Sequence, residues 1–73
     1  MVDWQRLALN LRRHKPLCAL SREMGKNPGY LGQLLRGEIK EPRFYDGLRL
    51  LDLHLDWCGE DSQRRLLGKI LIK

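Results

Sequence analysis

Two histidine–cysteine pairs are the first candidates for chemistry in this sequence. His14 and Cys18 are four residues apart, as are His54 and Cys58. Histidine nitrogen and cysteine sulfur are the ligands that structural zinc sites use. The close C-x-x-C and H-x-x-x-H spacings of such sites are absent, however, and Pro16 interrupts the first pair. The pattern therefore favours free or buried thiols over zinc, and we expect no metal and no cofactor.

No arrangement of residues typical of an enzyme is found in the sequence. It contains no nucleophile motif, no acid–base constellation and no glycine-rich phosphate loop. No apolar run is long enough to span a bilayer, and the N-terminus has no basic segment followed by an apolar one. We therefore expect a cytoplasmic protein that is not an enzyme, does not enter a membrane and needs no small-molecule ligand.

Positive charge is concentrated in the first part of the sequence. Residues 1–45 hold nine lysines and arginines against four acidic residues, whereas residues 46–73 hold five of each. The whole net charge of +5 therefore belongs to the first part. This asymmetry suggests a polyanion as the partner of that part, although small basic domains without such a partner are also common.

The residue pattern predicts a single all-α domain over residues 1–73. The β-branched residues are one valine and three isoleucines, with no threonine, and a sheet would use more of them. Asp3 is a suitable cap for a first helix that runs to about Arg13. Pro16 is expected in the first turn of a second helix, which Gly25 ends.

A third helix is predicted to begin two residues after Gly25, because Asn27 is a good cap and Pro28 suits the first helical position. It is expected to run for about ten residues before Gly37 ends it. Two helices joined by a tight glycine-containing turn form a helix-turn-helix pattern, here over about residues 16–37. The exposed positions of the turn and third helix are Lys26, Asn27, Tyr30, Gln33 and Arg36.

Pro42 is expected to open a fourth helix that carries an apolar stripe at helical spacing. The stripe consists of Phe44, Leu48, Leu51 and Leu55. The aromatic side chains of Trp4, Phe44 and Trp57 recur with leucines at the same kind of spacing. They are therefore candidates for the core or for a dimer contact.

The tail, about residues 60–73, is compatible with a fifth helix or with a short strand, because "KILIK" alternates; a helix is favoured. So small a core hardly needs all the aliphatic residues of this tail, which makes them candidates for a dimer contact. The alternative is that they only cover the first or fourth helix. The candidates are Leu66, Leu67, Ile70, Leu71 and Ile72.

The segment "LSREMGKNPGYLGQLLRGEIKEP" resembles the Cro and repressor class of phage helix-turn-helix domains. The resemblance depends on a small residue, Ser21, four positions before the turn glycine, Gly25, and on the pattern of Tyr30 to Gly37 in the third helix. The following "EPRFYDGLRLLDLHLDW" is similar to the fourth helix of that class. About 55 of the 73 residues take part. The resemblance implies a compact lambda-repressor-like fold of four to five helices.

The resemblance also implies that the third helix enters the major groove of DNA. Gln33 would then contact adenine and Arg36 guanine or a phosphate, with further base contacts from Lys26, Asn27 and Tyr30. Tyr30 is alternatively a packing residue at the edge of the core. The candidate phosphate contacts are Lys40, Arg43, Arg12, Arg13 and Lys15, of which the last three are alternatively a solvated helix end.

The function implied by this resemblance is sequence-specific transcriptional regulation. Members of the class are commonly phage or prophage repressors that bind a pseudo-palindromic operator as homodimers, with the two recognition helices about 34 Å apart. The rival hypothesis is a protein-interaction module, such as an antitoxin-like partner, that uses the same scaffold to hold another protein through its apolar tail.

Overall fold

The fold is seen in a computed structural model that describes residues 2–71, with side chains described as far as Leu66. Within these residues the chain is all-helical, as predicted, and contains no strand. The four helices are α1 (Trp4–Arg12), α2 (Leu17–Glu23), α3 (Tyr30–Leu35) and α4 (Phe44–Leu71).

Helix α1 lies at the centre of the fold. It begins at the predicted cap, where the Asp3 carboxylate accepts a hydrogen bond from the backbone N–H of Arg6 (3.0 Å). Leu7, Ala8 and Leu11 are fully buried along one face, and the helix packs against α2, α3 and α4. Complete burial of a leucine side chain contributes about 1.5–3 kcal/mol. The two leucines therefore make α1 the common support of the other helices.

Helix α4 is divided by a kink at Gly59, whose φ of 85° and ψ of 171° are a combination that glycine alone adopts readily. The two parts are residues 44–58, called the first arm, and residues 60–71, called the second arm. Leu50 and His54 of the first arm are fully buried, and Leu66 of the second arm is only 9% exposed. The kink therefore allows both arms to close the same core.

Three of the four residues of the stripe predicted on the fourth helix do not face the core. Phe44 is 72% exposed, Leu48 47% and Leu55 39%, while Leu51 is half-buried and packs against the core. Of the two alternatives for Phe44, core or dimer contact, the structure excludes the core. Trp57 is also partly exposed, at 41%.

Gly47 explains the orientation of the first arm. A Cβ atom at this position would lie 3.2 Å from Cη2 of the Trp4 ring, which is closer than ordinary van der Waals contact. The arm therefore places its smallest residue against the largest residue of α1, and a side chain at this position would require the Trp4 ring to shift by a few tenths of an ångström. Leu50 and His54 follow Gly47 at helical spacing and complete the buried face.

Helix α3 starts later than predicted and is six residues long. Residues 27–30 form a separate turn, in which the Asn27 side chain accepts a hydrogen bond from the N–H of Gly29 (2.8 Å) and its carbonyl accepts one from Tyr30 (2.9 Å). Asn27 therefore caps this turn, as its side chain suggested, but helical geometry begins only at Tyr30.

The start of α2 and the end of α4 are the two remaining helix boundaries that the sequence predicted. Pro16 occupies the cap position before α2 instead of its first turn, with an extended ψ of 136°. The tail is helical as far as Leu71, which agrees with the favoured prediction for it. Ile72 and Lys73 lie outside the described residues.

Candidate nucleic-acid interface

Ser21 joins the two helices of the helix-turn-helix unit. Its side chain is fully buried. The hydroxyl donates a hydrogen bond to the carbonyl of Leu17 (2.8 Å) and accepts one from the backbone N–H of Leu31 (3.1 Å). A larger residue would push α2 and α3 apart, and one without a hydroxyl would leave the buried Leu31 N–H without this partner. This is the physical reason for a small polar residue at the position.

The turn between α2 and α3 depends on Gly25, which has φ 74°. The N–H of Gly25 donates to the carbonyl of Arg22 and the N–H of Lys26 donates to that of Ser21, both at 2.9 Å. These two bonds are those of a Schellman motif, which satisfies the last carbonyls of a helix. No atom of the described residues lies within 4 Å of a Cβ built at Gly25, so the left-handed backbone, and not crowding, requires glycine.

Helix α3 has one buried and one exposed face. Leu31 and Leu34 are fully buried, whereas Gln33 and Arg36 are exposed. The helix ends in a second Schellman motif, in which Gly37, with φ 79°, donates to Leu34 (3.2 Å) and Glu38 donates to Gln33 (2.9 Å). The buried leucines hold the polar face outward.

Gln5 of α1 supports the C-terminal end of α3, a role that the sequence did not reveal. Its side-chain amide donates a hydrogen bond to the carbonyl of Leu35 (3.2 Å). The same nitrogen would lie 3.0 Å from a Cβ built at Gly37. The orientation of α3 is therefore set at one end by Ser21 and at the other by Gln5.

Three of the five predicted base-contacting residues, Asn27, Gln33 and Arg36, are exposed. Arg36 pairs with Glu38, with Nε 2.7 Å from Oε2, and this hydrogen bond holds the pKa of Glu38 below its usual range. Because both partners are open to solvent, the pair is weak and an incoming base or phosphate can compete for the guanidinium. Asn27 uses its side-chain oxygen in the turn before α3.

The other two, Lys26 and Tyr30, are half-buried and connect the turn to α4. Lys26 forms an ion pair with Asp46 (2.8 Å), and its ammonium lies 5.4 Å from the centre of the Tyr30 ring. Burial raises the pKa of Tyr30, and the charge of Asp46 raises it further, while Arg43 opposes both effects. These contacts favour the alternative that Tyr30 packs at the edge of the core, and they leave Lys26 less available than a free surface lysine.

The candidate phosphate contacts separate into two groups. Lys40 and Arg43 are exposed in the segment between α3 and α4. Arg12 is exposed and follows Gln5 by seven residues, about two helical turns, so it lies on the same side of α1 as the support of α3. These three cations can belong to one surface with the polar face of α3.

Arg13 and Lys15 lie elsewhere. Arg13 lines a groove of about 480 Å³ between α1 and the second arm, together with Arg6 and Arg65. Lys15 pairs with Glu23 and lies 5.7 Å above the Trp57 ring. Lys15 therefore connects the segment between α1 and α2 to the first arm. Arg13 and Lys15 thus do not form a single phosphate-binding set beside α3.

Leu66, the first of the predicted dimer-contact residues, belongs to the core of its own chain. Its position agrees with the alternative that the tail covers the other helices. The side chains of the remaining candidates, Leu67, Ile70, Leu71 and Ile72, lie outside the described residues.

The two histidine–cysteine pairs do not converge. Both ring nitrogens of His54 have hydrogen-bond partners, with Nε2 3.0 Å from the Asn10 amide and Nδ1 2.6 Å from the Gln63 carbonyl oxygen. Cys18 is exposed, and burial raises the pKa of the Cys58 thiol. Among the described residues, no three side chains of histidine, cysteine, aspartate or glutamate are grouped to hold a metal ion.

The fold and this surface define a small all-α domain with a helix-turn-helix unit, in which α3 exposes Gln33 and its C-cap exposes Arg36. No family model, no curated protein and no solved structure matches the chain. None of the helices in the described part of the chain is both long enough and apolar enough to cross a membrane.

Proposed function

We propose that this protein is a sequence-specific DNA-binding transcriptional regulator of the Cro or repressor type, encoded by a phage or prophage. The observation that carries the proposal is the two-faced α3, which buries Leu31 and Leu34 and leaves Gln33 and Arg36 exposed on a rigid support. A short helix held in this way fits the major groove, where the side chains of a recognition helix meet the base edges.

The exposed side chains of α3 have the chemistry that base recognition needs. An amide such as that of Gln33 pairs with the donor and acceptor of adenine, and a guanidinium such as that of Arg36 pairs with the two acceptors of guanine. Each good bidentate contact is worth about 1–3 kcal/mol of discrimination. On binding, Arg36 would exchange its contact with Glu38 for one with the DNA.

The cations beside α3 would hold the DNA backbone. Lys40 and Arg43 precede α4, whose first N–H groups point toward the same region, and Arg12 extends the surface along α1. Such contacts position the protein without reading sequence. In this proposal the protein acts in the bacterial cytoplasm on the nucleoid, occupies a pseudo-palindromic operator as a homodimer, and needs neither catalysis nor a cofactor.

The second candidate function is a protein-interaction module, such as an antitoxin-like partner. The exposed apolar side chains of α4, above all Phe44 and Tyr45 at 72% and 80% exposure, favour it. The two candidate functions differ in what they require of α3. DNA recognition needs Gln33 and Arg36, whereas the binding of a protein partner to α4 should not change when these two residues are replaced.

Selection of bound sequences from a random DNA duplex pool tests the regulator. At about 150 mM salt, where non-specific charge attraction is weakened, we expect a pseudo-palindrome with half-sites about ten base pairs apart. The combined variant Gln33→Ala, Arg36→Ala should lose the preference and keep its helicity. Arg64→Ala, which removes the same charge from the exposed second arm, is the matched control and should select the wild-type motif. Recovery of no motif by the folded wild-type protein would overturn the proposal.

A further inference from the structure

Within the described residues, an apolar stripe on the outer side of the first arm is left largely exposed. It consists of Phe44, Leu48, Leu51 and Leu55 and is called the α4 stripe below. Three of these side chains are between 39% and 72% exposed, and the neighbouring Tyr45 is 80% exposed. We propose that the α4 stripe is the surface through which two copies of this chain pair, with their first arms antiparallel.

The spacing of the α4 stripe is that of a helix–helix contact. Its residues follow one another at intervals of four, three and four, which is the alternation of the two apolar positions in a heptad repeat. A stripe with this alternation stays on the side of the helix that faces a second, nearly parallel or antiparallel helix. The core face of the same arm, Gly47, Leu50 and His54, is already occupied by α1 and is distinct from the stripe.

The area of the exposed side chains is sufficient for a pair of copies. A whole aromatic side chain buries roughly 150–250 Å², so Phe44 and Tyr45 with the half-exposed leucines present roughly 500 Å² per copy. A symmetric pair would cover about 1,000 Å² in total, which is the lower limit for specific interfaces. So small a contact corresponds to a reversible dimer rather than a permanent one.

The charges beside the stripe favour a second copy in the antiparallel direction. Arg49, Asp52 and Asp56 follow one edge of the arm, on the side away from the core face. In an antiparallel pair this edge meets the same edge of the other copy, and Arg49 of each copy lies near Asp52 of the other, because Phe44 of one copy then faces Leu55 of the other. In a parallel pair, the charged edge of one copy would instead face the edge of the other copy that carries the buried Gly47 and His54. Neither of these two residues offers a charged side chain as a partner.

The Arg49 side chain is already held in place by a hydrogen bond within its own chain. Its Nη2 donates a hydrogen bond to the carbonyl of Glu23 (3.1 Å), which holds the guanidinium beside the C-terminal end of α2. The guanidinium has further N–H groups for a carboxylate of the second copy. The inference rests on the proposed function, because this pairing would supply the dimer that binds the operator. It places the dimer contact in the first arm, whereas the sequence pattern placed it in the tail.

Sedimentation equilibrium of the full chain tests the inference. DNA is left out, because a failure to dimerise is then a separate result from a failure to recognise DNA. We expect a monomer–dimer equilibrium with a micromolar dissociation constant. Leu48→Glu should weaken it at least about 100-fold, because the symmetric contact would receive two carboxylates in an apolar seam. Phe44→Ser, at the most exposed position of the stripe, should act in the same direction.

The control for these variants is Trp57→Gln, which removes a comparably exposed apolar side chain from another side of the arm and should leave the equilibrium unchanged. Arg49→Asp and Asp52→Arg should each weaken pairing, and the double variant should restore it. A wild-type protein that stays monomeric up to about 1 mM, or a folded Leu48→Glu protein that pairs normally, would overturn the α4 stripe as the contact. A double variant without recovery would overturn the antiparallel direction.

Discussion

Replacement of Ser21 with alanine tests whether one buried hydroxyl connects α2 and α3. The substitution leaves the buried N–H of Leu31 without the acceptor it now has at 3.1 Å. A buried donor without a partner costs about 1–3 kcal/mol. We therefore expect the free energy of unfolding to fall by about 2 kcal/mol, which for a domain of this size is roughly 8–16 °C in melting temperature.

Urea denaturation followed by circular dichroism measures the loss, and hydrogen exchange measures the protection of the Leu31 amide. The matched control is Ser62→Ala, the same truncation at a half-buried serine of the second arm, which should cost less than about 0.5 kcal/mol. Equal losses in the two variants, or unchanged protection of Leu31 in Ser21→Ala, would refute the assigned role of the hydroxyl.

Three other features of the structure lead to measurable effects. Burial, with the nearby His14 as a smaller contribution, lowers the pKa of His54. In acid the histidine of the unfolded chain is therefore protonated before that of the folded chain, so the free energy of unfolding should be highest above about pH 6.5 and should fall below it. A free energy of unfolding that rises as the pH is lowered from about 7.5 to about 5 would contradict this. Gly59→Ala should destabilise by about 1–3 kcal/mol through its backbone alone, whereas Gly32→Ala, inside α3, should stabilise by up to about 1 kcal/mol in thermal melts. Lys40→Ala should reduce the slope of log affinity for DNA against log salt by about one without changing the selected motif, and a changed motif would show that Lys40 reads bases.

The parts of the fold that depend on local chemistry were predictable from the sequence. Asp3 caps α1, and Gly25 and Gly37 end α2 and α3 with left-handed backbone, because each requirement is satisfied within a few residues of chain. The exposed face of α3 follows from the positions of Leu31 and Leu34 in the same way. All of these assignments need only the period of a helix and the conformational range of glycine.

The parts that depend on contacts between distant residues were not predictable. The stripe of leucines and Phe44 is the more apolar side of the first arm, but the arm turns Gly47 inward because the Trp4 ring needs the space. The ion pair of Lys26 with Asp46 likewise joins residues 20 positions apart. Hydrophobic periodicity describes one helix at a time and contains no information about which neighbour it meets.

His54 is the clearest example of a signal that the sequence contained in ambiguous form. Its place four residues before Cys58 suggested a ligand pair, while the structure buries it at helical spacing with Gly47 and Leu50. The hydrogen bonds to Asn10 and Gln63 come from α1 and from the second arm. Their positions follow only once the kink at Gly59 is known, so the sequence could not decide between the two.

The kink also determines when this chain becomes a stable protein during its synthesis. At about 5–20 residues per second, the ribosome completes α1 roughly 3–11 s before Leu66 is added. Until the second arm folds back, Leu7 and Leu11 of α1 lack part of their cover, although the local turns around α2 and α3 are able to form. A chain that ends prematurely before the arm would therefore expose its core and be removed by cellular proteases, so that only molecules able to close the core would accumulate.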